Sequence, residues 1–110
     1  MARIYLEKLS NLVSDLKIEE EIDAHIETKH FFSGAALYVN GIICASWSPV
    51  GLAFKLPKHE ITELINSGRA KPLRYFPKGN VKKGYALFEN PGLSKPRRWK
   101  IYFIKATQQT

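Results

Sequence analysis

The chain has 110 residues, 45% of them hydrophobic and 25% charged, so it can enclose a core without a disulfide or a metal. Its single cysteine excludes an internal disulfide, and its longest apolar stretch is broken at Asn40–Gly41, well short of the roughly 20 residues that span a bilayer. We therefore expect one soluble, cytoplasmic domain covering residues 1–110, with no membrane partner.

Charge is distributed unevenly along the chain. Residues 1–28 contain seven acidic and three basic residues, a net charge of −4, whereas residues 29–110 contain fourteen basic and three acidic residues, a net charge of +11. The acidic segment is expected to pair with the basic remainder, either within one molecule or between subunits. Any basic surface left free would attract anions.

The N-terminal segment has the periodicity of an amphipathic helix over residues 3 to about 20. Its apolar residues recur at spacings of three and four, which gives one stripe: Tyr5, Leu9, Leu12, Val13 and Leu16. Ile18, Ile22 and Ile26 continue at a spacing of four. The helix is therefore expected either to run further or to turn a corner near Lys17.

The clearest signal is a β-hairpin. Phe31–Val39 and Ile42–Trp47 are rich in strand-forming residues, and Asn40–Gly41 lies between them. Both turn residues tolerate the positive φ that a type I′ turn requires. Gly34, within the first run, predicts a bulge or a bend.

A third strand and a short helix follow the hairpin. Residues 48–51 form a predicted turn, and Leu52–Leu56 alternates as a strand does. Pro57 ends that strand, and Lys58–Ser67 is predicted to be a helix. Gly68 is well placed as the first residue beyond its C-cap.

Two more strands and a last helix complete the pattern. The strands are predicted at Leu73–Phe76 and Gly84–Phe88, joined by a turn at residues 77–80. The segment Trp99–Ile104 has a strand-like composition, but Trp99, Tyr102, Phe103 and Ala106 share one helical face. With the support of the family resemblance given below, we predict a helix. The order α-β-β-β-α-β-β-α indicates an α+β two-layer sandwich with a five-stranded antiparallel sheet.

No catalytic residue, metal site or cofactor is predicted. Three histidines and one cysteine do not have the spacing of zinc ligands, and the sequence contains neither a glycine-rich phosphate loop nor a nucleophile elbow. Cys44 lies in an apolar run and is interpreted as a small buried hydrophobic residue rather than a reactive thiol. A small enzyme whose site is assembled from distant residues is left as a third hypothesis.

Basic residues near the C-terminus are candidates for nucleic-acid binding. Lysine and arginine neutralise phosphates, and aromatic side chains interleaved with them, here Trp99 and Tyr102, can stack on bases if exposed. The alternative is that the charges only solubilise the domain and the aromatic side chains face the core. The candidates are Lys82, Lys83, Arg97, Arg98 and Lys100.

The run Lys29–Gly41 resembles the signature of the TfoX N-terminal domain family, Lys-x-Met-Phe-Gly-Gly-x-x-x-aromatic-x-x-Gly. Three later segments are similar to the family in kind: Gly51–Leu56, Lys71–Tyr75 and Val81–Leu87. Ser33 replaces the first glycine of the family's pair, so the backbone is expected to be shaped differently there. The segment Ile18–Glu27 is longer and more acidic than is usual in the family.

The resemblance implies a secretion-chaperone-like fold, often dimeric, with no known enzymatic activity. The family's name-giving members regulate natural competence together with a transcription activator. Our first hypothesis is therefore a non-enzymatic regulatory or interaction module that binds a protein partner, which can be a second copy of itself. The second is a nucleic-acid binder, and a contiguous basic face would favour it over a basic face covered by the acidic helix.

Overall fold

Six strands and four helices make up the fold in the computed structural model, which describes residues 2–31, 33–74, 81–89 and 97–109. The strands form one antiparallel sheet in the order β1-β2-β3-β4-β6-β5. The elements are α1 (Ala2–Asp15), α2 (Ile18–Glu21), β1 (Ile26–Phe31), β2 (Gly34–Val39), β3 (Ile42–Ser48), β4 (Gly51–Lys55), α3 (Lys58–Asn66), β5 (Lys71–Leu73), β6 (Lys82–Phe88) and α4 (Arg97–Thr107). The α+β class is confirmed, but the sheet has six strands where five were predicted.

The N-terminal helix α1 ends at Asp15, although the spacing of apolar residues would permit a longer helix. The predicted stripe is confirmed, because Leu9, Leu12, Val13 and Leu16 are all buried. Lys17 then adopts a left-handed conformation, with φ 54° and ψ 44°, which a right-handed helix cannot contain. The corner near Lys17 is thus confirmed, and the expectation of a helix running on to Ile26 is wrong.

The predicted strand Phe31–Val39 is in fact divided between two strands. β1 ends at Phe31 and β2 begins at Gly34, its partner in the register, so the chain reverses directly before Gly34. The bend predicted at Gly34 is thus a full reversal between two strands. A separate irregularity, a shift in the pairing of β2 with β3, lies between Leu37 and Tyr38. The first strand of the sheet was therefore missed in the sequence.

The Asn40–Gly41 hairpin is confirmed. Val39 pairs with Ile42, and φ is 49° at Asn40 and 84° at Gly41, both positive as a type I′ turn requires. Asn40 also fixes the start of β1. Its N–H donates to the His25 carbonyl at 2.8 Å, and its Oδ1 accepts from the His25 N–H at 3.2 Å.

Gly68, directly after the C-cap residue Ser67, ends the helix α3. Gly68 has φ 75°, and its N–H donates to the Ile65 carbonyl at 3.1 Å. The Arg69 N–H donates to the Leu64 carbonyl at 2.9 Å. These two bonds form a Schellman motif, so the predicted role of Gly68 as the residue after the C-cap is confirmed.

The last two strands begin earlier than predicted. β5 covers only Lys71–Leu73, and Tyr75, Phe76 and the predicted turn at residues 77–80 lie outside the described residues. β6 starts at Lys82 rather than Gly84. The final segment is the helix α4, as its shared face indicated.

The helices cover one face of the sheet, and an aromatic cluster holds α4 on it. Phe54 of β4 is fully buried, and its ring centroid lies 4.8 Å from that of Phe103, 5.6 Å from that of Tyr102 and 6.0 Å from that of Trp99. Phe88 of β6 closes the cluster, 5.0 Å from Trp99. Pairs of this kind add about 0.5–1.5 kcal/mol beyond the area they bury.

The opposite face of the sheet is also buried around β4 and β6. Ala53, Leu73, Tyr85 and Leu87 form a second apolar cluster there. The Tyr85 hydroxyl donates to the Ile43 carbonyl at 3.4 Å, so it has a partner although the side chain is only 5% exposed. This half of the sheet therefore packs on two sides.

Gly34 lies where no side chain can fit. A Cβ at this position would stand 2.3 Å from the Trp47 carbonyl oxygen and 2.6 Å from the Ser48 Cα, which are backbone atoms of β3. Ser33, the residue that departs from the family signature, is exposed in the turn before it. The steric restriction thus falls on the glycine that is retained.

We expect Gly34→Ala to lower the free energy of unfolding by about 3 kcal/mol, because the added methyl group must displace backbone rather than a flexible side chain. The matched control is Gly68→Ala, whose Cβ meets nothing within 4 Å and which loses only about 1 kcal/mol through its positive φ. Equilibrium urea unfolding measures both. Equal losses for the two variants would contradict this account of Gly34.

Candidate functional site

The predicted nucleic-acid residues lie on β6 and α4. Lys82 and Lys83 open β6, and Arg97 and Arg98 open α4. The side chains of Lys82, Lys83 and Arg97 lie outside the described part of the structure. The described side chains of the set are those of Arg98 and Lys100.

Arg98 is exposed and lies against the aromatic cluster. Its Cζ is 4.8 Å from the Trp99 ring centroid and 6.0 Å from the Phe88 ring centroid, within cation–π range. Trp99 itself is only 1% exposed, and Tyr102 is partly buried in the same cluster. The condition under which Trp99 could stack on a base, its exposure, is therefore not met.

The lysines of α4 are paired with carboxylates of the same molecule. Lys100 Nζ lies 3.0 Å from Glu21 Oε1 of α2, and Lys105 Nζ lies 3.0 Å from Glu60 Oε1 of α3. Both pairs are partly exposed, and pairs of this kind contribute about 0–1 kcal/mol each. Their main effect is on the electrostatic potential around α4, because each pair neutralises a lysine charge that would otherwise attract an anion.

The exposed carboxylate of Glu27 pairs with both His25 and Lys29. His25 Nε2 lies 3.0 Å from Glu27 Oε1, and Lys29 Nζ lies 3.5 Å from Glu27 Oε2. The hydrogen bond from His25, followed by the positive charge of Lys29, holds the pKa of the Glu27 carboxyl below its usual value. Within the described ranges, no three His, Cys, Asp or Glu side chains converge as a metal site would need.

A groove of about 360 Å³ runs between α1, α2 and β1. Val13 and Leu37 are buried at its base, while Ser10, Glu20 and Thr28 give it polar walls. The Ser10 and Thr28 hydroxyls are hydrogen-bonded at 2.8 Å, which ties α1 to β1. The sequence analysis missed this groove because it predicted no strand at Ile26.

Two further depressions lie at the other end of the molecule. One, beside β5, includes Lys71, Pro72 and Glu89, and a 2.7 Å ion pair joins Lys71 to Glu89. The other, between α3 and α4, includes His59 and Arg69 beside the Lys105–Glu60 pair. Each depression thus contains one lysine–glutamate pair, beside an exposed arginine, Arg74 in the first and Arg69 in the second.

Cys44, the single thiol, is completely buried in the core on β3. Burial raises the pKa of the Cys44 thiol to about 12, and the nearby positive charge of Lys55 offsets this only in part. The thiolate is the reactive form of cysteine, so its concentration at neutral pH is negligible. A nucleophilic role for this residue is not supported.

We expect Cys44 in the folded chain to react with Ellman's reagent at pH 8 roughly a thousandfold more slowly than in urea-unfolded chain, since its pKa rises from 9.0 to about 12. Absorbance of the released thiolate measures both rates. Comparable rates in the two states would show that the thiol is accessible and ionised in the folded protein.

None of the helices in the described ranges combines the length and the apolar composition needed to cross a membrane.

Comparison with known proteins gives one match. The family model of the TfoX N-terminal domain matches residues 21–110, which begins at the last residue of α2 and leaves α1 outside. No curated protein and no solved structure matches the chain significantly. Because the match covers most of the 110 residues, the chain belongs to the TfoX N-terminal domain family.

Proposed function

We propose that this chain is a non-enzymatic regulatory module that acts by binding another protein, in the manner of the TfoX-type competence regulators and in the control of transcription. Family membership supports the regulatory setting. The observation that favours binding of a protein over binding of a nucleic acid is the pairing of the α4 lysines with carboxylates of the same molecule. Lys100 and Lys105, which would serve a phosphate backbone, are neutralised by Glu21 and Glu60.

The described residues also give little support to an enzyme. Cys44 is buried, with a raised pKa, and Glu27 is an exposed carboxylate whose partners are His25 and Lys29. Catalytic groups are instead found where burial and a charge partner shift a pKa within a cleft. The exposed side chains of His25, Glu27 and Lys29 suit recognition rather than catalysis.

The test is capture of a partner by the immobilised chain at physiological salt, from a nuclease-treated extract of its own host, followed by reconstitution with the purified partner. We expect a protein that remains bound after nuclease treatment and forms a binary complex in isothermal titration calorimetry. Retention that disappears with nuclease treatment, or a purified partner that shows no heat of binding, would overturn the proposal.

The second candidate function is nucleic-acid binding, which the exposed Arg98 and the net charge of +11 over residues 29–110 favour. Fluorescence anisotropy with duplex DNA, single-stranded DNA and RNA, at low and at physiological salt, decides it. Under this reading, binding is micromolar or tighter and falls steeply with salt, and charge reversal at Lys82, Lys83, Arg97 and Arg98 abolishes it.

A matched variant separates a defined site from net charge alone. Reversal of four exposed basic residues elsewhere, Lys17, Lys58, Arg69 and Arg74, changes the net charge by the same amount. A site on β6 and α4 requires the first variant to lose binding and the second to keep most of it. Absence of binding by the wild-type chain at low salt would remove the nucleic-acid function.

A further inference from the structure

The two outer edges of the sheet differ in a way that bears on association. β5, at one edge, has three residues, contains Pro72 and shifts register beside it. β1, at the other edge, has six residues in unbroken register with β2 and contains no proline. Short strands, prolines, irregularities and charged side chains, lysine above all, are the usual protection of a sheet edge. β5 combines all four, whereas β1 has only charged side chains, and its Lys29 is paired with Glu27.

The outer edge of β1 is accessible. Among the described residues no strand pairs with it, and Glu27, Lys29 and His30 are exposed. The helix α1 contacts β1 from the face, through the Ser10–Thr28 hydrogen bond, rather than from the edge. In the described sheet the backbone groups along this edge therefore have no strand partner, and the end at Ile26 borders the groove that Glu19 and Glu20 of α2 also line.

The hydrogen bonds of β1 identify those groups. The His25 carbonyl accepts from the Asn40 N–H at 2.8 Å, so His25 is directed toward the hairpin. Residues alternate in direction along an antiparallel strand, and Glu27 and Lys29 are therefore directed toward β2 as well. The N–H and C=O of Ile26, Thr28 and His30 are directed outward.

We propose that β1 pairs antiparallel with β1 of a second copy of this chain, about a two-fold axis at Thr28. In this register Thr28 lies opposite Thr28 of the second copy, and Ile26 lies opposite His30. All the outward backbone groups of these three residues then have partners. The proposal goes beyond the proposed function, because the pairing does not depend on which other protein the module binds.

Charge determines the register. With the axis at Thr28, Glu27 lies opposite Lys29 of the second copy, and Lys29 lies opposite Glu27, in non-hydrogen-bonded pairs where the side chains are closest. Moving the axis to Glu27 or to Lys29 would instead place like charges opposite each other. The sequence of β1 is therefore self-complementary in one register and self-repelling in its neighbours.

The side chains concerned are available for such pairs. Thr28 faces α1 through Ser10, so Glu27 and Lys29 lie on the other face of the sheet. Their side chains are 47% and 55% exposed. Within one chain Glu27 contacts Lys29 at 3.5 Å, and the second copy would extend this pair into an alternating row of charges across the axis.

The test is analytical ultracentrifugation of the full chain from about 1 to about 200 µM, at low and at physiological salt, with single and double charge reversals. We expect the wild type to dimerise. Glu27→Lys and Lys29→Glu should each raise the dimer dissociation constant about tenfold, because each puts two like-charge pairs across the axis. The double variant restores both attractions and should return to within about threefold of wild type.

Controls make the outcome specific. Lys71→Glu reverses one charge at the β5 edge and should leave the dissociation constant unchanged, and circular dichroism confirms that each variant is folded. A wild type that stays monomeric over the whole concentration range would overturn the proposal. So would a dimer that neither single reversal weakens, or a double variant no stronger than the single ones.

Discussion

Packing of Phe54 against α4 is the interaction on which the arrangement of this domain depends. Phe54 lies on β4, in the middle of the sheet, and its ring meets Trp99, Tyr102 and Phe103 of the last helix. α4 then covers β3 and β4, leaving α1 to cover β1, β2 and β3. The two helices together define the sheet face that encloses the main core, while the strand order leaves β1 and β5 at the edges.

The same arrangement of helices explains why part of the positive charge of this chain, which has a net charge of +7, is neutralised within the molecule. α2 extends from α1 to contact α4, and so its Glu21 reaches Lys100. On the other side of α4, α3 supplies Glu60 to Lys105. The acidic N-terminal segment and the basic remainder are thus connected within one molecule at this point. Within α4, the described cation without a carboxylate partner in these pairs is therefore at the start of the helix, at Arg98, rather than at Lys100 or Lys105.

Features fixed by one or two residues could be predicted from the sequence. Asn40–Gly41 and Gly68 require positive φ, and residue identity alone indicates that, so the hairpin and the end of α3 were located. β1 was missed, because Ile26 continues a spacing of four that is typical of a helix. The alternation of Ile26 and Thr28 along the strand was the signal that could have indicated β1. The left-handed Lys17 has no local cause in its own side chain. Its neighbours Leu16 and Ile18 are both buried, and their packing imposes the turn.

The groove and the Lys100–Glu21 pair join segments distant in the chain, and no local pattern encodes such pairs.

Pro72 in β5 has a consequence for the size of any assembly. Proline has no N–H to donate, and β5 is short and irregular, so this edge cannot accept a strand as β1 can. Of the two edges of the sheet in the described residues, only that of β1 is therefore competent. An association that joins two such edges by a two-fold axis uses both of them and leaves none to extend the sheet. The result is a closed point-group assembly rather than an open filament, and its stoichiometry is limited by geometry rather than by affinity.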